Sequence, residues 1–299
     1  MKSFRSGFVS IVGKPNVGKS TLLNRLVGEP LAAVSKKPQT TRGVIRGILS
    51  TREGQAIFLD TPGFHSPRDP LGKWMIGEIH KSIENAELIY WMVFPDLPRT
   101  EDEEFGRELA KAKIPLFLLI NQTDRIEKPK ILPVIDAYNK LISLQEIIPI
   151  SSLLGDNVSV LVRKTFEALP EHPAYFSDDI LTDQNERTIV SELIREKIFR
   201  FTGEEIPYSS AVEIEEFKEK EAAEGRSALV VIKANFVVEK DSQKAILIGK
   251  GGAKIKQIGE AARKEIENFL GKKVFLELWV KTLKNWKKDP EALKRLGFG

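Results

Sequence analysis

The residues best placed to do chemistry are Gly13-Lys14-Pro15-Asn16-Val17-Gly18-Lys19-Ser20, which satisfy the pattern G-x-x-x-x-G-K-[ST] at every fixed position. The run Phe8-Val9-Ser10-Ile11-Val12 before them reads as a buried strand. Ser20-Thr21-Leu22-Leu23-Asn24-Arg25-Leu26 after them reads as the first turns of a helix. A glycine-rich loop between strand and helix turns its backbone N–H groups inward around a phosphate chain. The helix N-terminus adds partial positive charge there, and Lys19 adds a full one. Ser20 offers a hydroxyl to Mg2+. The chemistry implied is the binding of a nucleoside triphosphate, with Gly13, Pro15, Asn16, Val17, Gly18, Lys19, Ser20 and Thr21 as candidate contacts.

Four further segments narrow that chemistry. Leu59-Asp60-Thr61-Pro62-Gly63 follows a predicted strand, Ala56–Leu59. Asp60 is placed to hold Mg2+ through a water, and the Gly63 N–H to approach a γ-phosphate. Asn121-Gln122-Thr123-Asp124 follows the predicted strand Leu116–Ile120. A carboxylate at Asp124 accepts two parallel N–H bonds from guanine N1 and N2. Adenine has no such pair of donors, so Asp124 predicts GTP over ATP. Asn121 ties the loops together and touches the base. Ser151-Ser152-Leu153 follows the predicted strand Ile147–Ile150 and offers backbone N–H groups to guanine O6. Thr40-Thr41-Arg42 lies in the polar stretch after the first helix. A hydroxyl there completes the Mg2+ shell when a γ-phosphate is present and lets go after hydrolysis, with Thr41 the first choice and Thr40 the second.

The elements that must position these residues alternate. Phe8–Val12, Ala56–Leu59, Leu88–Phe94, Leu116–Ile120 and Ile147–Ile150 read as short buried strands, with amphipathic stretches such as Asp102–Ala112 and Lys130–Leu144 between them. The pattern predicts an α/β domain with a mostly parallel sheet covered on both faces, whose ligand sits at the carboxyl ends of the strands. Leu169-Pro170-Glu171-His172-Pro173 breaks the alternation. The expected division is a first domain over residues 1–172, a linker over 173–184 and a second domain over 185–299. The second domain reads α-β-β-α-α-β: helix over Glu186–Phe201, strands over Ser210–Phe217 and Ala228–Glu239, helices over Lys244–Ile248 and Ala253–Leu270, and a strand over Lys273–Lys281.

At 299 residues two domains of ordinary size fit. No apolar run has the length of a membrane span, the first residues lack the apolar core of a secretory leader, and His65, His80 and His172 are too scattered for a metal site. There is no cysteine, which excludes disulfides and thiolate sites and suits a reducing cytoplasm. The net charge is +4, yet Asp241 to Gly299 carries 14 Lys and Arg against 7 Asp and Glu, an excess of seven positive charges. That asymmetry points to a polyanion, nucleic acid before a membrane surface. Within it lies Ile248-Gly249-Lys250-Gly251-Gly252-Ala253-Lys254-Ile255-Lys256. A G-x-x-G loop between helices admits a nucleic-acid backbone closely, and Lys250, Lys254 and Lys256 neutralise phosphates. In the order α-β-β-α-α-β this is the clamp of a type II KH fold, which takes about four nucleotides. Single-stranded RNA is the expected ligand, with bases against Ile246, Ile248 and Ile255. Trp279 and Trp286 are candidate stacking partners, though Trp279 reads more readily as core.

The first half resembles a small translation-type GTPase, and the second narrows the resemblance to the Era family along essentially the whole chain. It is carried by the phosphate loop, Pro38-Gln39-Thr40-Thr41-Arg42, Asp60–Gly63, Asn185-Glu186-Arg187, Ile194-Arg195-Glu196-Lys197, Pro207-Tyr208-Ser209 and Leu278-Trp279-Val280-Lys281 with Trp286 beyond. The resemblance implies slow GTP hydrolysis, binding to the 3′ end of small-subunit ribosomal RNA and assistance in assembling the 30S subunit. A monomer in the cytoplasm is expected, with peripheral attachment to the inner membrane compatible. Two features bear on activity. Gln122 stands where such GTPases usually have a lysine whose stem packs over the purine, which predicts weaker guanine affinity with specificity intact. Phe64 follows Gly63 where Ras-like proteins have the water-orienting glutamine. In related GTPases an asparagine of the phosphate loop helps bind K+. Asn16 matches that position and joins Lys19, Thr41 and Gly63 as a candidate catalytic residue, its other reading being a loop hydrogen bond. The alternative for the whole chain is an RNA-binding protein whose nucleotide domain has lost activity. Gln122 favours it; Lys19, Ser20, Thr41 and Asp60 oppose it.

Overall fold

The computed structural model describes residues 3–35, 37, 40–67, 69–203, 205–220 and 229–298. Pro38 and Gln39 of the motif quoted above, and Ala228 of an expected strand, lie outside them. Contacts divide the chain into two compact units. One comprises Met1–Leu31, Thr41–Ser66 and Met75–Asp183; the other comprises Ala32–Thr40, Pro67–Trp74 and Gln184–Gly299.

The first unit contains β1 (Arg5–Gly13), α1 (Lys19–Val27), β2 (Ile45–Ser50), β3 (Gly54–Asp60), the part of α2 (Pro70–Glu84) from Met75 on, β4 (Leu88–Val93), α3 (Thr100–Lys111), β5 (Leu116–Ile120), α4 (Ile131–Asn139), β6 (Glu146–Pro149) and α5 (Val158–Ala168). The sheet order is β2-β3-β1-β4-β5-β6. Neighbours are parallel except β2, which pairs antiparallel to β3. β4 and β5 are buried at every position, as strands covered on both faces must be. Because β1, β3, β5 and β6 point the same way, Gly13, Asp60, Asn121 and Ser151 all emerge at one edge of the sheet.

The sequence reading missed β2, a short edge strand interrupted by Gly47. That glycine is required by packing: a Cβ there would come 2.7 Å from the side chains of Leu23 and Val27 on α1. The expected linker is also no free tether. The Gln55 side chain accepts from Tyr175 N and Phe176 N at 2.8 and 3.0 Å and donates to the Phe176 carbonyl at 2.8 Å. Ile48 N donates to the Leu181 carbonyl at 2.8 Å, and Thr182 Oγ1 to the Arg46 carbonyl at 2.6 Å. Residues 173–183 therefore lie along β2 and β3. Proline punctuation shows where an alternation stops, not where the chain goes next.

The second unit contains α6 (Glu186–Phe201), α7 (Glu205–Ser209), β7 (Ser210–Lys220), β8 (Leu229–Val238), α8 (Asp241–Ile248), α9 (Ala253–Leu270), β9 (Lys273–Thr282) and α10 (Pro290–Arg295). β8 pairs antiparallel with β7 and parallel with β9. The expected α-β-β-α-α-β order holds, with the short α7 and α10 added. α6 starts at Asn185, whose side chain accepts from Thr188 N, and buries Ile189, Val190, Leu193, Ile194 and Ile198. The two tryptophans exchange their expected roles. Trp286 is wholly buried and donates Nε1–H to the Ser209 carbonyl at 3.1 Å, whereas Trp279 is 56% exposed. Strand parity is the reason: Val274 and Val280 face the core, so Phe275 and Trp279 face outward with Lys273 and Lys281.

Candidate functional site

At the carboxyl end of β1 the chain turns back on itself. Gly13 leaves no room for a Cβ, which would sit 2.3 Å from the Met92 carbonyl oxygen. Gly18, at φ +107°, starts α1 in a conformation other residues resist, and a Cβ there would meet Asn121 Nδ2 at 2.2 Å. Lys19 folds back over the loop, donating to the carbonyls of Gly13 and Lys14 at 3.1 Å each. Burial pushes its ammonium down to about 8, against the pull of the Asp60 charge.

Next to it three oxygens from separate segments converge. Ser20 Oγ donates to Asp60 Oδ2 at 2.6 Å and lies 2.9 Å from Thr41 Oγ1, while Thr41 Oγ1 donates to the same carboxylate oxygen at 3.4 Å. Asp60 and Thr41 are buried. Two hydroxyls and a carboxylate are hard oxygen donors, the set Mg2+ takes when phosphate oxygens complete its shell. The residues therefore fit the ion. Thr40 is directed elsewhere: its hydroxyl donates to the Lys37 carbonyl at 2.9 Å. Of the two threonines, Thr41 is the one gathered with Ser20 and Asp60.

Gly63 packs against Pro15, where a Cβ would come within 2.6 Å, and Phe64 N donates to the Gly13 carbonyl at 3.0 Å. The phosphate loop and the Asp60–Gly63 segment are thus laid against each other. The Phe64 ring stacks on Phe105 of α3 at 4.1 Å, and its side chain offers no polar atom to hold a water.

The base-reading segments are tied to one another and to the phosphate loop. Asn121 Nδ2 donates to the Val17 carbonyl at 2.6 Å, and Asn121 Oδ1 accepts from Ser152 N at 2.9 Å. Ser151 Oγ donates to Asp124 Oδ1 at 2.6 Å and accepts from Leu154 N at 3.1 Å. Ser151 thereby orients the carboxylate expected to read guanine, a role its backbone assignment from sequence overlooked. Gln122 lies in the left-handed region at φ +64°, with Nε2 donating to the Asn16 carbonyl at 2.9 Å. It thus bridges the base-reading segment and the phosphate loop. Asn16 is itself left-handed, at φ +63°, and exposed. Lys14 pairs with Asp102 at 2.8 Å, fixing the loop to α3.

In the second unit α8 ends at Gly249, φ +71°, and α9 begins after Gly251 and Gly252, φ +60° and +80°. Positive φ accounts for the glycines, and around Gly251 and Gly252 nothing lies within 4 Å of a built Cβ. The loop is open to an incoming backbone. Among the described residues Lys250, Lys254 and Lys256 have no ion-pair partner, unlike Lys233, Lys281 and Lys287 on the same unit. Ile246 is exposed, and Ile248 and Ile255 are half-buried, so an apolar strip borders the loop.

Phosphate loop, oxygen cluster and guanine-type loops on this sheet define a P-loop GTPase, joined to a second module built like a KH domain. Family models agree: residues 8–122 match "50S ribosome-binding GTPase" and residues 205–287 match "KH domain". The chain is 49% identical over 296 residues to GTPase Era of Geobacter metallireducens, covering 99% of this chain and 98% of that one. It is 44% identical over 297 residues to GTPase Era of Ruminiclostridium cellulolyticum, covering 99% and 98%. Among solved structures it is similar to a tyrosine-to-alanine variant of Aquifex aeolicus Era bound to GDP·AlF4−, with a TM-score of 0.95, 40% identity and coverage of 99% and 100%. It is equally similar to Era in complex with MgGDPNP and nucleotides 1506–1542 of 16S ribosomal RNA, with a TM-score of 0.94, 40% identity and coverage of 99% of each chain. The chain belongs to the GTPase Era family.

Proposed function

We propose that this chain is a GTP-hydrolysing switch that binds single-stranded small-subunit ribosomal RNA near its 3′ end and assists assembly of the 30S subunit. The observation that carries the reading is the open Gly251–Gly252 turn flanked by Lys250, Lys254 and Lys256, which have no ion-pair partner among the described residues, in a chain alike end to end with an Era bound to 16S RNA. No helix among the described residues is long and apolar enough to cross a membrane. A cytoplasmic monomer, with peripheral contact to an anionic membrane allowed by the same lysines, goes with this reading.

In hydrolysis the water oxygen bonds to the γ-phosphorus and the bond to the β–γ bridging oxygen breaks. Charge spreads over the bridging and γ oxygens. Lys19 and the Gly63 N–H meet that charge, and Ser20, Thr41 and Asp60 hold Mg2+, which when bound neutralises part of it. Phe64 brings no water-orienting group, so the intrinsic rate is slow. Asn16 would help hold K+, which would supply further positive charge to the reaction. The release of Thr41 when the γ-phosphate leaves is the switch.

Gly251→Asp tests the RNA half. Asp tolerates a left-handed φ, so the loop survives while a carboxylate faces the phosphates. RNA binding should be lost with GTP turnover intact, and unchanged RNA affinity would sink the assignment.

A further inference from the structure

Of the segment Ser151-Ser152-Leu153, expected to read guanine O6, Ser151 and Ser152 are buried, but burial does little for the tip beyond them: Leu153 and Leu154 are each 62% exposed. The tip is held from α1. Arg25 Nε donates to the Ser152 carbonyl at 3.3 Å, and Arg25 Nη2 donates to the Leu153 carbonyl. Gly155, at φ +91°, passes beside the same guanidinium, with a built Cβ 3.7 Å from Nη1. In a trans peptide the C=O and the following N–H point in opposite directions. Holding the Ser152 carbonyl toward α1 therefore turns the Leu153 N–H away from it. The donors on either side of it are occupied. Ser152 N donates to Asn121 Oδ1 and Leu154 N to Ser151 Oγ. Among the described residues the Leu153 N–H has no partner.

We propose that Arg25 is a positioning residue for guanine recognition: its planar fork holds two consecutive carbonyls so that the Leu153 N–H is presented to O6. The proposal rests on the guanine reading of Asp124 and adds to it a second, separable discrimination. Asp124 reads the N1–H and N2 amine, whereas the Arg25-held loop reads the oxygen. Arginine suits the task because its donors lie in one plane at fixed spacing. A lysine ammonium meets one carbonyl well and the other poorly.

Displacement of a fluorescent guanine nucleotide from the full chain by GDP, IDP and ADP tests this. IDP keeps O6 and lacks the N2 amine; ADP has an amine in place of O6. Arg25→Ala should weaken GDP and IDP alike, by about tenfold for one charge-held recognition bond, and leave ADP unchanged. The GDP-to-ADP ratio narrows accordingly. Arg25→Lys should recover part of that ratio. Equal weakening of all three nucleotides would make Arg25 a merely structural residue, and no change in any of them would remove it from recognition; either result overturns the proposal. A wild-type chain that bound ADP as well as GDP would instead refute the reading of Asp124.

Discussion

Raising the pH above neutrality should weaken nucleotide binding through Lys19. Burial holds its ammonium at about 8 in the nucleotide-free protein. A phosphate chain in the loop supplies negative charge at the ammonium and raises that value, so the bound state keeps the proton. Binding therefore takes up protons wherever the free protein has lost some. With a free value of about 8, the charged fraction falls from about nine-tenths at pH ~7 to about a quarter at pH ~8.5. The dissociation constant for GDP should rise about fourfold over that interval. At pH ~8, calorimetry in buffers of different ionisation enthalpy should register uptake of about half a proton per nucleotide. The same depression has an opposite consequence for folding. Between pH ~8 and the ordinary lysine value the unfolded chain holds more protons than the nucleotide-free native state. Stability from this group then rises with pH. Lys19→Ala should bind GDP weakly and without the pH slope. A flat GDP affinity in the wild type, with no proton uptake, would refute the placement of Lys19 as a desolvated cation waiting for phosphate.

Three further outcomes are expected. Ser151→Ala removes the donor to Asp124 and the acceptor for Leu154 N, so GDP affinity should fall about five- to tenfold with turnover at saturation unchanged, as read by equilibrium titration and phosphate release. Trp286→Ala should cost about 3–5 kcal/mol in denaturant unfolding because it empties a fully buried site, whereas Trp279→Ala, on the open sheet face, should cost under about 1 kcal/mol. Turnover in K+ buffer should exceed that in Na+ buffer, and Asn16→Ala should abolish the difference; equal wild-type rates in the two salts remove Asn16 as an ion ligand.

What the sequence disclosed and what it concealed divides along a physical line. Gly13 to Ser20, Asp60 to Gly63 and Gly249 to Gly252 were legible because backbone geometry and phosphate chemistry leave few residue types permissible at those positions. Trp279 is legible by strand parity: it shares a strand face with Lys273, Glu277 and Lys281, not with Val274 and Val280. Trp286 was not legible, since its burial comes from an irregular turn whose partner, Ser209, lies 77 residues away. The same holds for Lys197, a lysine inside the core of the second unit. It is 1% exposed and pairs with Glu196 beside it and Glu265 on α9. The periodicity of α6 puts it on the buried face, four residues after Leu193 and three after Ile194, but no local pattern names its partner on α9. Arg25 and Ser151 are the functional counterparts of this limit. Each is an ordinary residue in a motif read for other atoms, and each acquires a role only when the loop after β6 is folded back onto α1 and Asp124. Consensus patterns report groups that touch the ligand. The residues that aim those groups answer to distant geometry, so several sequences satisfy the same requirement and no fixed spacing marks them.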